Sequence, residues 1–158
     1  MAIDYSIYLA APLDTEQLLC RVDDALGLDH TRIVEHAPHN PTLVGRPGPG
    51  FYLNASKDDD ARSAEIKEEW LGFAPRVHVT FRMEKEGDCQ AAFLRVLRVT
   101  SALLRDVPGD LALINNGENV LIIRTHGRVV AVDDPLVLDA EALSQLLVPY
   151  ELGSVPKA

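Results

Sequence analysis

Cysteine is nearly missing from this 158-residue chain, which has two, Cys20 and Cys89. Both fall at positions expected to face inward from helices, so reduced core thiols are expected rather than a disulfide or a redox pair. Long hydrophobic runs are also missing, and the longest falls well short of the ~20 residues that span a bilayer. The N-terminus lacks a basic region followed by an apolar core, which predicts no secretory signal and a cytoplasmic location. Positive charge is in deficit: 15 Lys and Arg stand against 24 Asp and Glu, a net of −9. Nonspecific nucleic-acid binding needs basic surface to displace counterions, so a direct nucleic-acid role is not expected.

Catalytic patterns are equally thin. His36 and His39 are spaced as a metal pair, but Pro38 forbids the helix that would aim both rings, and no third ligand stands near. Asp58-Asp59-Asp60 lacks the alternating oxygen ligands and the glycine of a calcium loop. Ser6, Ser56 and Ser101 do not lie in a Gly-x-Ser-x-Gly turn. The glycines of 45–50 alternate with prolines, which removes N–H groups that a phosphate cradle would use. His78, flanked by Arg76 and Glu84, reads as a half-exposed sheet residue. No catalytic residue, metal ligand or cofactor is expected.

What the chain does contain is periodicity. Val77, Val79, Phe81 and Met83 alternate with His78, Thr80, Arg82 and Glu84, the signature of a strand with one buried face. Asp88 then caps a long helix in which Ala92, Phe93, Val96, Leu97, Thr100, Leu103, Leu104 and Val107 form one stripe. Gln90, Arg95, Arg98, Ser101 and Arg105 lie off it, and Pro108-Gly109 stops the helix. Asn116-Gly117 and His126-Gly127 separate three apolar runs and predict an antiparallel meander. Its unalternating Leu121-Ile122-Ile123 fits a strand buried on both sides.

The N-terminal half repeats the opening βα pattern. Ile3, Tyr5, Ile7 and Leu9 line one side of a strand. Asp14 and Gln17 have capping-box spacing before the stripe Leu18, Leu19, Val22 and Leu26, and Gly27 ends the helix. A short strand is expected over Thr31–Glu35, a turn-rich link over His36–Pro41 and the start of another strand at Leu43-Val44. A rigid loop follows over Arg46–Gly50, then a strand over Phe51–Ala55 and a short irregular helix within 57–69. After the meander, Asp139 caps a helix over Ala140–Leu147, and Tyr150–Ala158 trails over the surface.

These elements predict one α+β domain over residues 1–158. It has a mostly antiparallel sheet, two main helices packed on one face and a short C-terminal helix. The charge is lopsided, with 13 acids against 6 bases in residues 1–75 and 11 against 9 thereafter. Asp58, Asp59, Asp60, Glu65, Glu68 and Glu69 beside Trp70 have the anchor-and-rim composition of a partner-binding surface. Trp70 as an ordinary core residue is the competing reading. Arg95, Arg98 and Arg105 read as partners for nearby acids.

Three stretches carry a family likeness: Met1-Ala-Ile-Asp-Tyr-Ser-Ile-Tyr-Leu9, Val77-His-Val-Thr-Phe-Arg-Met83, and Pro108-Gly-Asp-Leu-Ala-Leu-Ile-Asn-Asn-Gly-Glu118 with Arg124 beyond. Together they resemble the immunity proteins of the swarm-inhibition toxin systems of myxobacteria, which have relatives in actinobacteria. The resemblance implies a non-enzymatic protein that binds and neutralises a cognate protein toxin; exposed strand edges separately leave monomer or homodimer open. An acidic inhibitor suits a basic toxin such as a nuclease. The alternative is a small-molecule-binding or enzymatic α+β domain with its pocket between helices and sheet.

Overall fold

The computed structural model describes residues 2–29, 35–37 and 40–158. The opening strand β1 (Asp4–Leu9) leads into α1 (Thr15–Leu26). Next come β2 (Glu35–Ala37), β3 (Asn40–Gly48), β4 (Phe51–Lys57) and α2 (Ala61–Leu71). The second βα unit is β5 (Val77–Met83) with α3 (Cys89–Asp106). The meander β6 (Leu111–Asn115), β7 (Asn119–Thr125) and β8 (Arg128–Val132) follows, then α4 (Ala140–Leu143) and β9 (Glu151–Gly153). The strands form one sheet in the order β2-β3-β4-β5-β1-β6-β7-β8-β9, antiparallel except for β8 and β9. This is the expected α+β class.

Local chemistry accounts for the best-formed elements. The Asp14 carboxylate accepts from Gln17 N at 2.7 Å, and the Gln17 side chain accepts from Asp14 N at 3.0 Å, so two orphan donors are satisfied reciprocally. Asp88 caps α3 through Ala91 N at 3.0 Å. Both meander turns use paired positive φ values, 50° and 76° at Asn116-Gly117 and 51° and 77° at His126-Gly127. Between the paired Thr125 and Arg128 these are the angles that a two-residue hairpin twisted with its strands requires, while the β6–β7 loop holds three residues, 116–118, between the paired Asn115 and Asn119.

The inner face of the sheet and helices α1 and α3 enclose the main core. Ile7, Leu9, Phe51, Phe81, Val96, Leu97 and Leu113 are all within 1 % of full burial there. At roughly 1.5–3 kcal/mol per buried large side chain, this layer dominates stability. A second cluster lies on the opposite face, where Leu71 and Phe73 pack with Ala112, Ile114, Val120 and Ile123. The strand β7 therefore feeds both layers, as its unbroken apolar run predicted.

The two βα units lie side by side, with α1 against α3. The strands beyond them differ in order: β4, last of the first unit, joins β5, whereas β6, first after α3, joins β1. The likeness between the units stops there.

Several expectations change. Cys20 and Cys89 are exposed free thiols and not core residues. Cys20 lies off the Leu18–Leu19–Val22 stripe, and Cys89 opens the first turn of α3. Ser101 is buried, because its hydroxyl accepts from Leu147 N at 2.8 Å. That bond draws the chain onto α3 and leaves α4 with one turn in place of the expected two. The strand expected to start at Leu43-Val44 is present and runs over 40–48, extending into the expected link and the expected loop. Pro47 stands opposite Tyr52 in the β3–β4 ladder. The chain over 151–153 forms β9 along β8 and does not trail. Most of the strand expected over Thr31–Glu35, and His39, lie outside the described residues.

Candidate partner-binding surface

The acidic segment is a regular helix, α2, lying on the sheet face opposite α1 and α3. Its start is pinned from both sides. Asp58 N donates to Arg76 O at 2.9 Å, and the Asp58 carboxylate holds His78 Nδ1 at 2.9 and 3.0 Å. The Asp60 side chain accepts from Ser63 N at 3.3 Å and is the N-cap. At the far end Gly72 adopts φ 83°, a left-handed cap that a side chain would strain.

The inward side of α2 rests on the outer-face residues of the sheet. Lys67 Nζ lies 5.0 Å from the centre of the Tyr8 ring and donates to Ser63 Oγ at 2.8 Å. The Tyr8 ring in turn stands 4.8 Å from that of His78. Burial, and then the Asp58 carboxylate, push the Tyr8 phenol up to about 12, against a smaller lowering by Ser6. Trp70 is half-buried against the second apolar cluster. Its Nε1 is enclosed without a hydrogen-bond partner among the described residues.

The outward side is different. Asp59, Arg62, Glu65, Ile66, Glu68 and Glu69 are exposed, Ile66 by 56 %. Glu65, Glu68 and Glu69 follow at three- and four-residue spacing and share a face. Among the described residues none of these three makes an ion pair. Residues 58–69 hold six acids and two bases, a local net of −4. Like charges at these spacings repel one another slightly, so a cation set against them would relieve strain as well as add attraction.

The seven candidate residues therefore divide. Asp59, Glu65, Glu68 and Glu69 stand together in solvent. Asp58 and Asp60 are consumed by local structure, one on His78 and the other on the helix cap. Trp70 belongs mainly to the packing of α2 on the sheet. Ile66, an apolar residue outside those seven, is exposed among the same outward side chains. Its place 100° past Glu65 on the helical wheel was the available signal. Tyr8 and Lys67 carried no signal in sequence, because their contact joins elements distant along the chain.

The histidine readings also resolve in part. His78 takes Asp58 as its partner and not Arg76 or Glu84. His36 falls in β2. The Arg105 guanidinium binds Asp106 at 2.8 Å, while Arg95 donates to Pro49 O at 3.1 Å. Arg105 thus pairs with an acid as expected, whereas Arg95 holds the β3–β4 turn. No helix among the described residues is long and apolar enough to cross a membrane.

No curated protein and no solved structure matches the chain. A family model described as SitI3-like matches residues 3–140. The matched span covers both βα units, the meander and the start of α4, and the chain belongs to the SitI3-like family.

Proposed function

We propose that this member of the SitI3-like family is a non-enzymatic immunity protein, which acts in the cytoplasm by binding and neutralising a cognate protein toxin. The observation that carries the reading is the exposed carboxylate face of α2. Glu65, Glu68 and Glu69 lie with Asp59 around Ile66 and lack partners among the described residues. An exposed apolar side chain on a helix whose outward charges are mostly carboxylates, with Arg62 the one exposed base, suits a partner of opposite charge, a basic toxin such as a nuclease. Long-range attraction would accelerate encounter, and contact at Ile66 would slow separation.

The test is co-expression with the polypeptide encoded immediately upstream, scored by rescue of growth and by co-purification. Changing Glu65, Glu68 and Glu69 together to lysine should slow association several-fold at low salt, and the difference should shrink as salt rises. These three positions are preferred to Asp58 and Asp60, whose replacement would also disturb the start of α2. An unchanged on-rate removes α2 from the contact surface. Absence of both rescue and co-purification removes the toxin reading.

A further inference from the structure

A second surface at the other end of the chain has the features of a docking ridge. Between β8 and α4 the backbone makes a tight loop whose hydrogen bonds converge on Asp134. The Asp134 carboxylate accepts from Leu136 N at 3.0 Å, and its carbonyl accepts from Val137 N at 3.0 Å and Leu138 N at 2.9 Å. Leu138 is driven into the main core at 2 % exposure. Asp139 then caps α4 through Ala142 N at 2.8 Å. The loop is thereby held at both ends, and it carries Leu136 at its apex with 96 % of the residue in solvent. Val137 beside it is 40 % exposed.

This ridge separates two grooves. One, of about 720 Å³, runs past Glu118, Asp134, Val137 and Val155. The other, of about 320 Å³, is bounded by Tyr5, Phe93, Leu136, Val137 and Asp139. Lys157 is the one cation on the groove walls among the described residues. The surrounding chain is more one-sided still: residues 129–156 hold five acids and no Lys, Arg or His.

We propose that the Leu136–Val137 ridge and its flanking grooves are a docking surface for a basic protein, with Leu136 entering an apolar recess of that partner. The partner's Lys or Arg side chains lie in the grooves, their methylene stems against Val137 and Val155 and their charged heads toward Glu118, Asp134 and Asp139. A knob on a loop whose backbone is already held loses little backbone freedom on binding, so its contact converts efficiently into affinity. Charge decides the occupant. A second copy of this acidic chain would set like charges against each other, whereas a basic partner meets them with its own. The inference rests on the toxin-binding reading and extends it to a surface distinct from α2.

The experiment measures binding kinetics of the purified upstream-encoded polypeptide with the full chain and four variants. Leu136→Ala should weaken binding about tenfold or more, chiefly through faster dissociation, and Leu136→Asp should weaken it further. Both should leave the melting temperature unchanged, because Leu136 touches almost nothing in the folded chain. Glu118→Lys should slow association several-fold at low salt. If Leu136→Ala binds as the parent does while the Glu65, Glu68 and Glu69 reversal weakens binding, the ridge proposal falls and the toxin reading stands. If the parent chain neither binds nor protects, both fall. Sedimentation showing a dimer that Leu136→Asp dissociates would assign the ridge to self-association and also overturn the proposal.

Discussion

Replacing Arg124 with methionine isolates one polar lock in the fold. The Arg124 guanidinium donates to three carbonyls at the exit of α3: Gly109 O at 2.7 Å, together with Leu104 O and Val107 O. Leu104 O is among the last carbonyls of the helix, which have no intrahelical donor. Burial holds the pKa of this guanidinium below its usual value, with Asp110 opposing, yet arginine stays charged. Methionine keeps most of the stem and removes the fork. Hydrogen bonds to charged groups contribute about 1.5–3 kcal/mol each when well shielded. Arg124 is half-buried and water can partly replace it, so ~1 kcal/mol per bond is the better figure, about 3 kcal/mol for three. In a chain of this size that lowers the melting temperature by roughly 6–12 °C. Urea unfolding should show a lower midpoint at unchanged slope. Arg124→Lys should fall between the two, because an ammonium cannot reproduce the planar fork. A loss below about 1 kcal/mol for Arg124→Met would mean that water serves these carbonyls equally well, and would refute the argument.

Two further outcomes follow from side-chain environments. The folded-state pKa of Tyr8 is raised to about 12 from 10.0, so its contribution to stability is complete below pH 10.0 and is lost as pH rises toward 12. Stability measured across that window should decline less steeply in Tyr8→Phe, and an identical slope would show that Tyr8 is not shielded. Cys20 and Cys89 are both exposed, so a thiol reagent should titrate two groups in the folded protein as fast as in a denatured control. A folded protein that reacts at fewer than two sites would restore the buried-thiol expectation.

The elements that could be read from sequence are those whose instructions are local. Asp14 with Gln17, Asp88, Asn116-Gly117 and His126-Gly127 each solve a backbone problem within a few residues, and each acts as read. The two faces of β7 were legible for the same reason, since three consecutive apolar residues leave no polar side. What was misread depends on distant partners. Ser101 is buried only because Leu147 N arrives from 46 positions away. The single turn of α4 and the pairing of β9 with β8 depend on neighbours that no window over 140–153 contains. The acidic candidate surface was half legible. Composition located Asp59, Glu65, Glu68 and Glu69, but not the capture of Asp58 by His78, which requires β4 and β5 to be paired first.

The position of β1 in the sheet constrains how the chain can assemble as it is made. Its neighbours are β5 and β6, so Leu9 finds its partners only at Val77 and Leu111. A nascent chain must therefore extend to β5 before β1 can pair on one side, and to β6 before it can pair on both. Such distant pairings raise the entropic cost of nucleation and slow folding. Until β6 is made β1 keeps an open edge, and this interval is the period when a chaperone has most to protect.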